Sequence, residues 1–319
     1  MNISVVIPVY NAEDVLNELY RRLKVSLGSV CKNYEILFVE DGGADGSWAV
    51  IQALSKDDPR VKGIRLARNF GQHNSLLCGI RAAEYEIILT MDDDLQHPPE
   101  EINKLLTKLD EGFDVVYGVY EKTRQGFWRR FSSFATKWVM NRVIKIKLVT
   151  QASAFRVFHT SLRDSFAGYR GSFVSIDVLL SWGTCKFGTV SVRHDRRSQG
   201  KSHYTFLKLV THAFTLLTGF STYPLQLASY LGFFFTLFGF GIFIYAVAGY
   251  FLWGDPVPGF PFLASIIAIF SGVQLFVLGI MGEYLARMHS KDMGQPAYVV
   301  HTITAESLKE SPGRTLRIT

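Results

Sequence analysis

The sequence predicts an α/β domain built on a parallel sheet, followed by a pair of membrane-crossing helices. Short β-branched runs alternate with helix-length stretches through the first 120 residues, the pattern of strands joined by helical crossovers. Farther on, residues 209–254 contain no Lys, Arg, Asp or Glu, and neither do residues 256–282. Each stretch exceeds the roughly 20 residues that cross a bilayer. The hydrophobic content of 48% is still too low for a chain wholly embedded in lipid.

Taken in order, the first strand is "ISVVIPV" (3–9), and a helix follows over Ala12–Leu27, where Val15, Leu16, Leu19 and Leu23 fall at helical spacing. "YEILFVE" (34–40), "VKGIRLA" (61–67), "YEIILTM" (85–91) and "FDVVYGV" (113–119) are the next strands. Ligands of such open sheets bind beyond the carboxyl ends of the strands. Those ends carry Pro8, Val9, Tyr10 and Asn11 with Glu13; then Glu40, Asp41, Gly42 and Gly43 with Asp45 and Ser47; then Arg68–Gly71; and finally Asp92, Asp93 and Asp94. Each has a plain structural reading, such as Asp45 and Ser47 capping a helix or Gly42-Gly43 making a turn. Carboxylates at two strand ends on one rim argue for a shared polar crevice.

The composition excludes several classes. No G-x-G-x-x-G follows the first strand, which disfavours a nicotinamide or flavin enzyme. "GKS" at 200–202 has Asp195 where a phosphate loop needs Gly. Cys31, Cys78 and Cys185 are odd in number and widely spaced, which fits a reducing compartment and no cysteine metal site. The net charge is +6, yet no nucleic-acid-binding module is recognisable, so nucleic acid is not an expected partner.

"MDDDLQHPPE" (91–100) carries the chemistry. In an extended segment Asp92, Asp94 and Gln96 share one face and Asp93 points away. Two carboxylates and an amide oxygen are hard ligands suited to Mg²⁺ or Mn²⁺, which also take oxygens from substrate phosphates. Pro98-Pro99 with Glu100-Glu101 reads as a rigid helix start.

Together "VVIPVYN", "VEDGGADGS", "LARNFGQH", "MDDDLQHPPE" and "GKSHY" resemble the membrane-associated polyisoprenyl-phosphate glycosyltransferases of glycosyltransferase family 2, and the resemblance spans nearly the whole chain. It includes the dolichyl-phosphate mannose synthases and bacterial undecaprenyl-phosphate enzymes. The resemblance implies a GT-A (Rossmann-like) fold that binds a nucleotide sugar through a divalent metal. It assigns Asp92, Asp94 and Gln96 to the metal, with Asp94 nearest the donor diphosphate. Pro8, Tyr10, Glu13 and Asp41 would line the nucleotide pocket, with Asp92 and Asp93 beside them. Two positions depart from the family: Ala12 stands where Glu is usual, and Asp93 where a small residue is frequent. Arg197 and Ser202 would lie near the phosphates, as catalytic residues beside Asp94. Arg124, Arg130 and Arg197 would hold the acceptor phosphate, since guanidinium matches phosphate geometry.

Residues 121–149 hold eight Lys or Arg and one acid, and Phe127, Phe131, Phe134 and Trp138 form one helical face. This reads as a helix lying on anionic lipid, against the plainer alternative of a core-packing helix with a solvated basic side. The link "GDPVPG" (254–259) lacks Lys and Arg, whereas Lys201, Lys208, Arg287 and Lys291 flank the apolar stretches, so both long ends are expected in the cytoplasm. No signal peptide is expected. The expected organisation is a cytoplasmic catalytic domain over 1–203, interfacial amphipathic helices over 204–227, two transmembrane helices within 228–286 and a cytoplasmic tail over 287–319. This describes an integral protein of a bacterial inner membrane, with membrane lipids as partners and a homo-oligomeric state implied by the relatives.

The expected reaction inverts configuration at the anomeric carbon and moves one sugar from a nucleotide sugar to a polyisoprenyl phosphate. Family frequency favours uridine as the base, with guanosine next. A lipid phosphate is already ionised and needs no general base, which fits Thr150 standing where many relatives carry Asp; Asp177 is the alternative carboxylate. Two other readings stay open: a transferase for another membrane lipid acceptor, and a membrane scaffold that binds nucleotide sugar without turnover.

Overall fold

The computed structural model describes residues 1–120, 153–171, 173–193, 195, 223–253 and 259–304 of the 319-residue chain. The basic aromatic segment 121–149 and the expected interfacial segment 204–222 lie outside the described residues, as do Arg124, Arg130, Thr150, Arg197 and Ser202. The chain divides into two compact units, Met1–His203 with Gly294–Thr319, and Tyr204–Met293.

In the first unit, β1 (Asn2–Val9), α1 (Glu13–Val30), β2 (Asn33–Glu40), α2 (Ser47–Asp57), β3 (Val61–Leu66), α3 (Gln72–Ala82) and β4 (Ile87–Thr90) follow one another as strand and crossover helix. A short 3₁₀ turn at Pro99–Glu101 leads into α4 (Ile102–Asp110) and β5 (Val115–Val119). β6 (Arg156–His159), α5 (Ile176–Gly183), β7 (Phe187–Ser191) and β8 (Val300–Ile303) complete it. The eight strands form one sheet in the order β7-β5-β6-β4-β1-β2-β3-β8.

All five strands expected from the sequence are present. The sheet is mixed rather than purely parallel, because β6 runs antiparallel between β4 and β5, and β8 antiparallel beside β3. Both additions are four residues long, too short to show periodicity, and β8 lies in the segment expected as a tail. It is stitched on by Ala67 N–H to Val299 carbonyl (2.9 Å), by Thr304 N–H to Gly63 carbonyl (3.0 Å) and by Gly63 N–H to Thr304 Oγ1 (2.8 Å).

Alternation sorts the core into two layers. Ile3, Val5, Ile7 and Val9 of β1 face α1, α2 and α4, where Leu16, Leu19, Leu23, Leu27, Ile51 and Leu105 meet them, all fully buried. Val6, with Leu37 and Val39 of β2, faces the opposite side, against Leu76, Leu77 and Ile80 of α3 and Leu179 of α5. Burying each such side chain contributes about 1.5–3 kcal/mol. The intervals of three, four and four residues between α1's buried leucines are what turn one helical stripe inward.

Two polar clusters brace the domain. At the amino ends of the strands, buried Lys62 pairs with Glu35 and Glu84, each at 2.8 Å, while Ser4 Oγ donates to Glu35 at 2.6 Å. Just past α2, Asp58 receives Tyr20 of α1 at 2.9 Å and the Arg60 guanidinium at 2.7 and 2.8 Å.

In the second unit, α6 (Tyr223–Trp253) and α7 (Phe260–Asp292) each contain a segment long and apolar enough to cross a membrane, Pro224–Ile242 and Ile269–Ala286. Phe235 meets Phe270 edge to face at 6.0 Å between centroids. A methyl group on Gly239 would come within 3.0 Å of the Phe270 ring, so a small residue here permits that approach. Phe233, Phe234, Leu237, Leu275 and Leu278 are exposed within the unit.

The Arg60 hydrogen bonds hold Asp58 well below the usual carboxylate range, against the opposing effect of burial. Its stabilising contribution is complete above the unfolded carboxylate value and is lost as pH falls through the lower folded value. Asp58→Asn should therefore lower the unfolding midpoint at pH 7 and flatten its fall on acidification, measured by thermal melts at pH 7, 5 and 3.5.

Candidate active site

The order β4-β1-β2 places the carboxyl ends of three parallel strands side by side, with Val9 in register with Glu40 and Val6 with Thr90. The chain reaches one side of β1 through α1 and the other through α3, so the connections diverge there and leave a crevice. A cleft of about 300 Å³ opens at this point, lined by Pro8, Val9, Tyr10, Asp41, Asn69, Gly71, Gln72, Asp92, Asp93 and Asp94.

Loop amides converge on the rim carboxylates. Asp41 accepts the Phe70 and Gly71 N–H groups on its two oxygens, each at 2.8 Å. Burial raises the Asp41 carboxyl above its usual range, and those amides pull it back only in part. Glu40 accepts the Gly43 N–H and the Arg65 Nε, the latter at 3.0 Å. Burial again raises its carboxyl, with the Gly43 amide and Arg65 opposing. Asn11 accepts the Ala44 N–H at 3.0 Å, and Glu13 accepts the Gly46 N–H at 2.8 Å. Asp45 receives the Glu13 N–H at 3.0 Å and the Ser47 hydroxyl at 2.9 Å. Burial would raise the Asp45 carboxyl, but these hydrogen bonds outweigh it and hold it low.

Two glycines make this packing possible. Gly42 has φ +67°, and a Cβ there would lie 2.5 Å from the Arg68 carbonyl carbon, so the loops after β2 and β3 can touch only without a side chain. Gly71, at φ +95°, turns the chain so that α3 begins directly behind the Asp41 carboxylate.

The aspartate triplet differs from the extended reading. β4 ends at Thr90, the chain turns at Asp93–Asp94, and Leu95 has φ 59°. Alternation therefore does not apply beyond β4. Asp92, Asp93 and Asp94 all line the cleft instead of dividing between two faces. Asp93 accepts the Tyr10 N–H at 3.2 Å, joining the triplet to the end of β1. Asp92 accepts the Gln72 side-chain amide, and Asp94 accepts the Gln96 N–H at 3.1 Å. Gln96 is anchored by its backbone, since its carbonyl also accepts the Asp195 N–H at 2.9 Å.

Of the described residues anticipated for the site, Pro8, Tyr10, Asp41, Asp92, Asp93 and Asp94 line the cleft, whereas Glu13 and Gln96 do not. Glu13 begins α1 and spends its carboxylate on the Gly46 amide. Gln72 is the lining residue that sequence reading passed over. Its signal was its place just beyond the loop that follows the third strand.

Among the described residues, no three His, Cys, Asp or Glu side chains converge as a ready-made metal site. The cleft nevertheless presents Asp92 and Asp94 together as hard oxygen donors, which fits a cation that completes its shell with waters and substrate phosphates.

A hydrogen bond to a charged group contributes about 1.5–3 kcal/mol. Asp41→Asn, with one acceptor oxygen in place of two, should speed amide exchange at Phe70 or Gly71 by about tenfold or more. Hydrogen exchange with residue-level resolution in the free protein checks this, the Leu76–Ile80 amides serving as the unchanged reference.

The sequence model of glycosyl transferase family 2 matches residues 4–168. The undecaprenyl-phosphate 4-deoxy-4-formamido-L-arabinose transferase of Shewanella sediminis (strain HAW-EB3) is 34% identical over 306 residues, covering 94% of this chain and 92% of that protein. Among solved structures, mannosyl-3-phosphoglycerate synthase from Rubrobacter xylanophilus superposes with a TM-score of 0.51 at 16% identity, over 68% of this chain and 72% of that one. Glucosyl-3-phosphoglycerate synthase from Mycobacterium tuberculosis gives 0.51 at 16% identity, over 68% and 78%. A further structure of that synthase, holding Mn²⁺, UDP-glucose and phosphoglyceric acid, gives 0.50 at 16% identity over 68% and 77%. These structures share the GT-A fold with the present sheet domain. With its family pattern beginning in β1 and passing through every strand end that forms the cleft, the chain belongs to glycosyl transferase family 2.

Proposed function

We propose that this glycosyltransferase moves a single sugar from a nucleotide sugar, with uridine as the favoured base, to a polyisoprenyl phosphate at the cytoplasmic face of a membrane. One conjunction carries the reading. A cleft lined by four aspartates sits on the GT-A fold, in a chain that matches an undecaprenyl-phosphate transferase along 94% of its length. The apolar segments in α6 and α7 support anchoring of the enzyme in the membrane that holds such an acceptor.

Asp92 and Asp94 would hold Mg²⁺ or Mn²⁺, and the Mn²⁺ and UDP-glucose bound by the tuberculosis synthase support this choice. When bound, the cation supplies charge stabilisation to the departing diphosphate. Asp41, fixed by the Phe70 and Gly71 amides, orients the nucleoside, with Pro8 and Tyr10 as the neighbouring wall. Asp93, fixed on the Tyr10 amide, sets the spacing between that wall and the metal-facing pair. Arg197 and Ser202 would take the phosphates, and Arg124 and Arg130 the acceptor. The ionised acceptor phosphate attacks the anomeric carbon without a general base. Engagement of Asp177 by Arg156 and Tyr117 supports that economy.

Purified enzyme incubated with undecaprenyl phosphate, Mn²⁺ and labelled UDP- or GDP-sugars should place label in the lipid fraction. Asp94→Ala should cut that transfer on the order of 100-fold or more while the protein stays folded and in the membrane fraction. Full activity in Asp94→Ala with metal still required would remove the metal assignment. Absence of label with every donor would favour another lipid acceptor or a non-catalytic scaffold.

A further inference from the structure

The first unit contains a second charged cluster, buried on the same rim as the cleft. Arg156 on β6 is only 2% exposed and pairs with Asp177 in the first turn of α5. Tyr117 of β5, fully buried, donates its hydroxyl to the same Asp177 oxygen at 2.9 Å. Arg156 Nε donates to Thr90 Oγ1 at 3.1 Å, and that hydroxyl donates onward to the Ala154 carbonyl at 2.7 Å. A guanidinium so fully desolvated requires a counter-ion, and each of these bonds satisfies a polar group that burial would otherwise penalise. Burial also keeps the Tyr117 phenol well above its usual range, so it remains a donor.

Thr90 is the last residue of β4, two positions before Asp92. On the other side, the Ile176 N–H beside Asp177 reaches His73 Nδ1 at 3.4 Å, and the neighbouring Gln72 holds the Asp92 carboxylate. The contacts close a ring: from Asp92 through Gln72 and His73 to Ile176 and Asp177, then through Arg156 and Thr90 back to Asp92. The opposite rim offers a natural comparison, since buried Lys62 and Glu35 form an ionic cluster with the more exposed Glu84, and none of the three lines the cleft.

We infer that Arg156 and Asp177 are positioning residues for the aspartate triplet: the pair closes the ring that fixes Asp92, and so sets how tightly the cleft takes a divalent cation with a nucleoside diphosphate. This rests on the reading of Asp92 and Asp94 as the cation-facing carboxylates. Neither residue lines the cleft, and the pair acts through Thr90 and α3. Arg156→Lys keeps the charge but removes the fork that reaches both Thr90 and Asp177. Tyr117→Phe removes one hydroxyl and leaves the ion pair.

The test is Mn²⁺ binding to the full-length protein in detergent, followed by the electron paramagnetic resonance of free Mn²⁺ with UDP or GDP present, alongside thermal melts without ligand. Asp177→Asn and Arg156→Lys should weaken Mn²⁺ binding by about tenfold, and Tyr117→Phe by less. Lys62→Met should lower the melting midpoint yet bind Mn²⁺ as the unaltered protein does. Should Asp177→Asn not fold, Arg156→Lys and Tyr117→Phe carry the same comparison. Unchanged Mn²⁺ affinity in the folded rim variants, or equal weakening in Lys62→Met, overturns the positioning role. No Mn²⁺ binding by the unaltered protein with either nucleotide overturns the cation reading itself, and this inference with it.

Discussion

The end of every parallel strand releases a loop whose amides need acceptors, and in this protein rim side chains supply them. Asp41, Glu13, Asp45, Asp93 and Asn11 each accept at least one backbone N–H from another part of the rim, and Glu40 and Asp94 accept one from their own loops. A buried amide left without a partner costs about 1–3 kcal/mol, so the Phe70 and Gly71 bonds to the buried Asp41 are a condition of those loops packing as they do. They also bring acidic side chains to one place. The crevice is acidic because three of these groups, Asp41, Asp93 and Asp94, line its wall beside Asp92.

That double use separates the carboxylates by neighbourhood. Asp41 is deeply buried between two loops and bonded through both oxygens, so it is a rigid element of the wall. Asp92 and Asp94 sit on a turn instead, where Asp92 receives the Gln72 side-chain amide and Asp94 the Gln96 N–H. In the proposed function, the fixed Asp41 would orient the nucleoside and the Asp92–Asp94 pair would face the diphosphate.

The two ionic clusters, each built on a buried cation, show the same economy at opposite rims. Lys62 with Glu35 and Glu84 ties the starts of β2 and β3 to the segment before β4. Arg156 with Asp177 ties the beginning of β6 to α5. Removing one partner from such a pair typically costs about 3–5 kcal/mol, because the other charge stays buried. Both clusters therefore fix how loops at their rim can move.

Much of this was legible in the residues. Short β-branched, largely apolar runs located five strands, and helical spacing located α1, since such signals report burial without knowledge of the partner. The rim residues followed from strand ends in an α/β pattern, and the apolar stretches from the lack of charge. Three features were decided only by the tertiary structure. Asp93 joins its neighbours in the cleft because a turn with Leu95 in the left-handed region replaces an extended segment, and the Tyr10 amide 83 residues away receives its carboxylate. β8 exists because Thr304 and Val299 find β3 across more than 230 residues of chain, with Gly63 and Thr304 separated by 241. Arg156 is a buried ion because Asp177 and Thr90 arrive from separate elements. Local spacing encodes which side of a strand or helix is apolar; it carries no record of which distant amide, hydroxyl or carboxylate will meet a polar group once water is excluded.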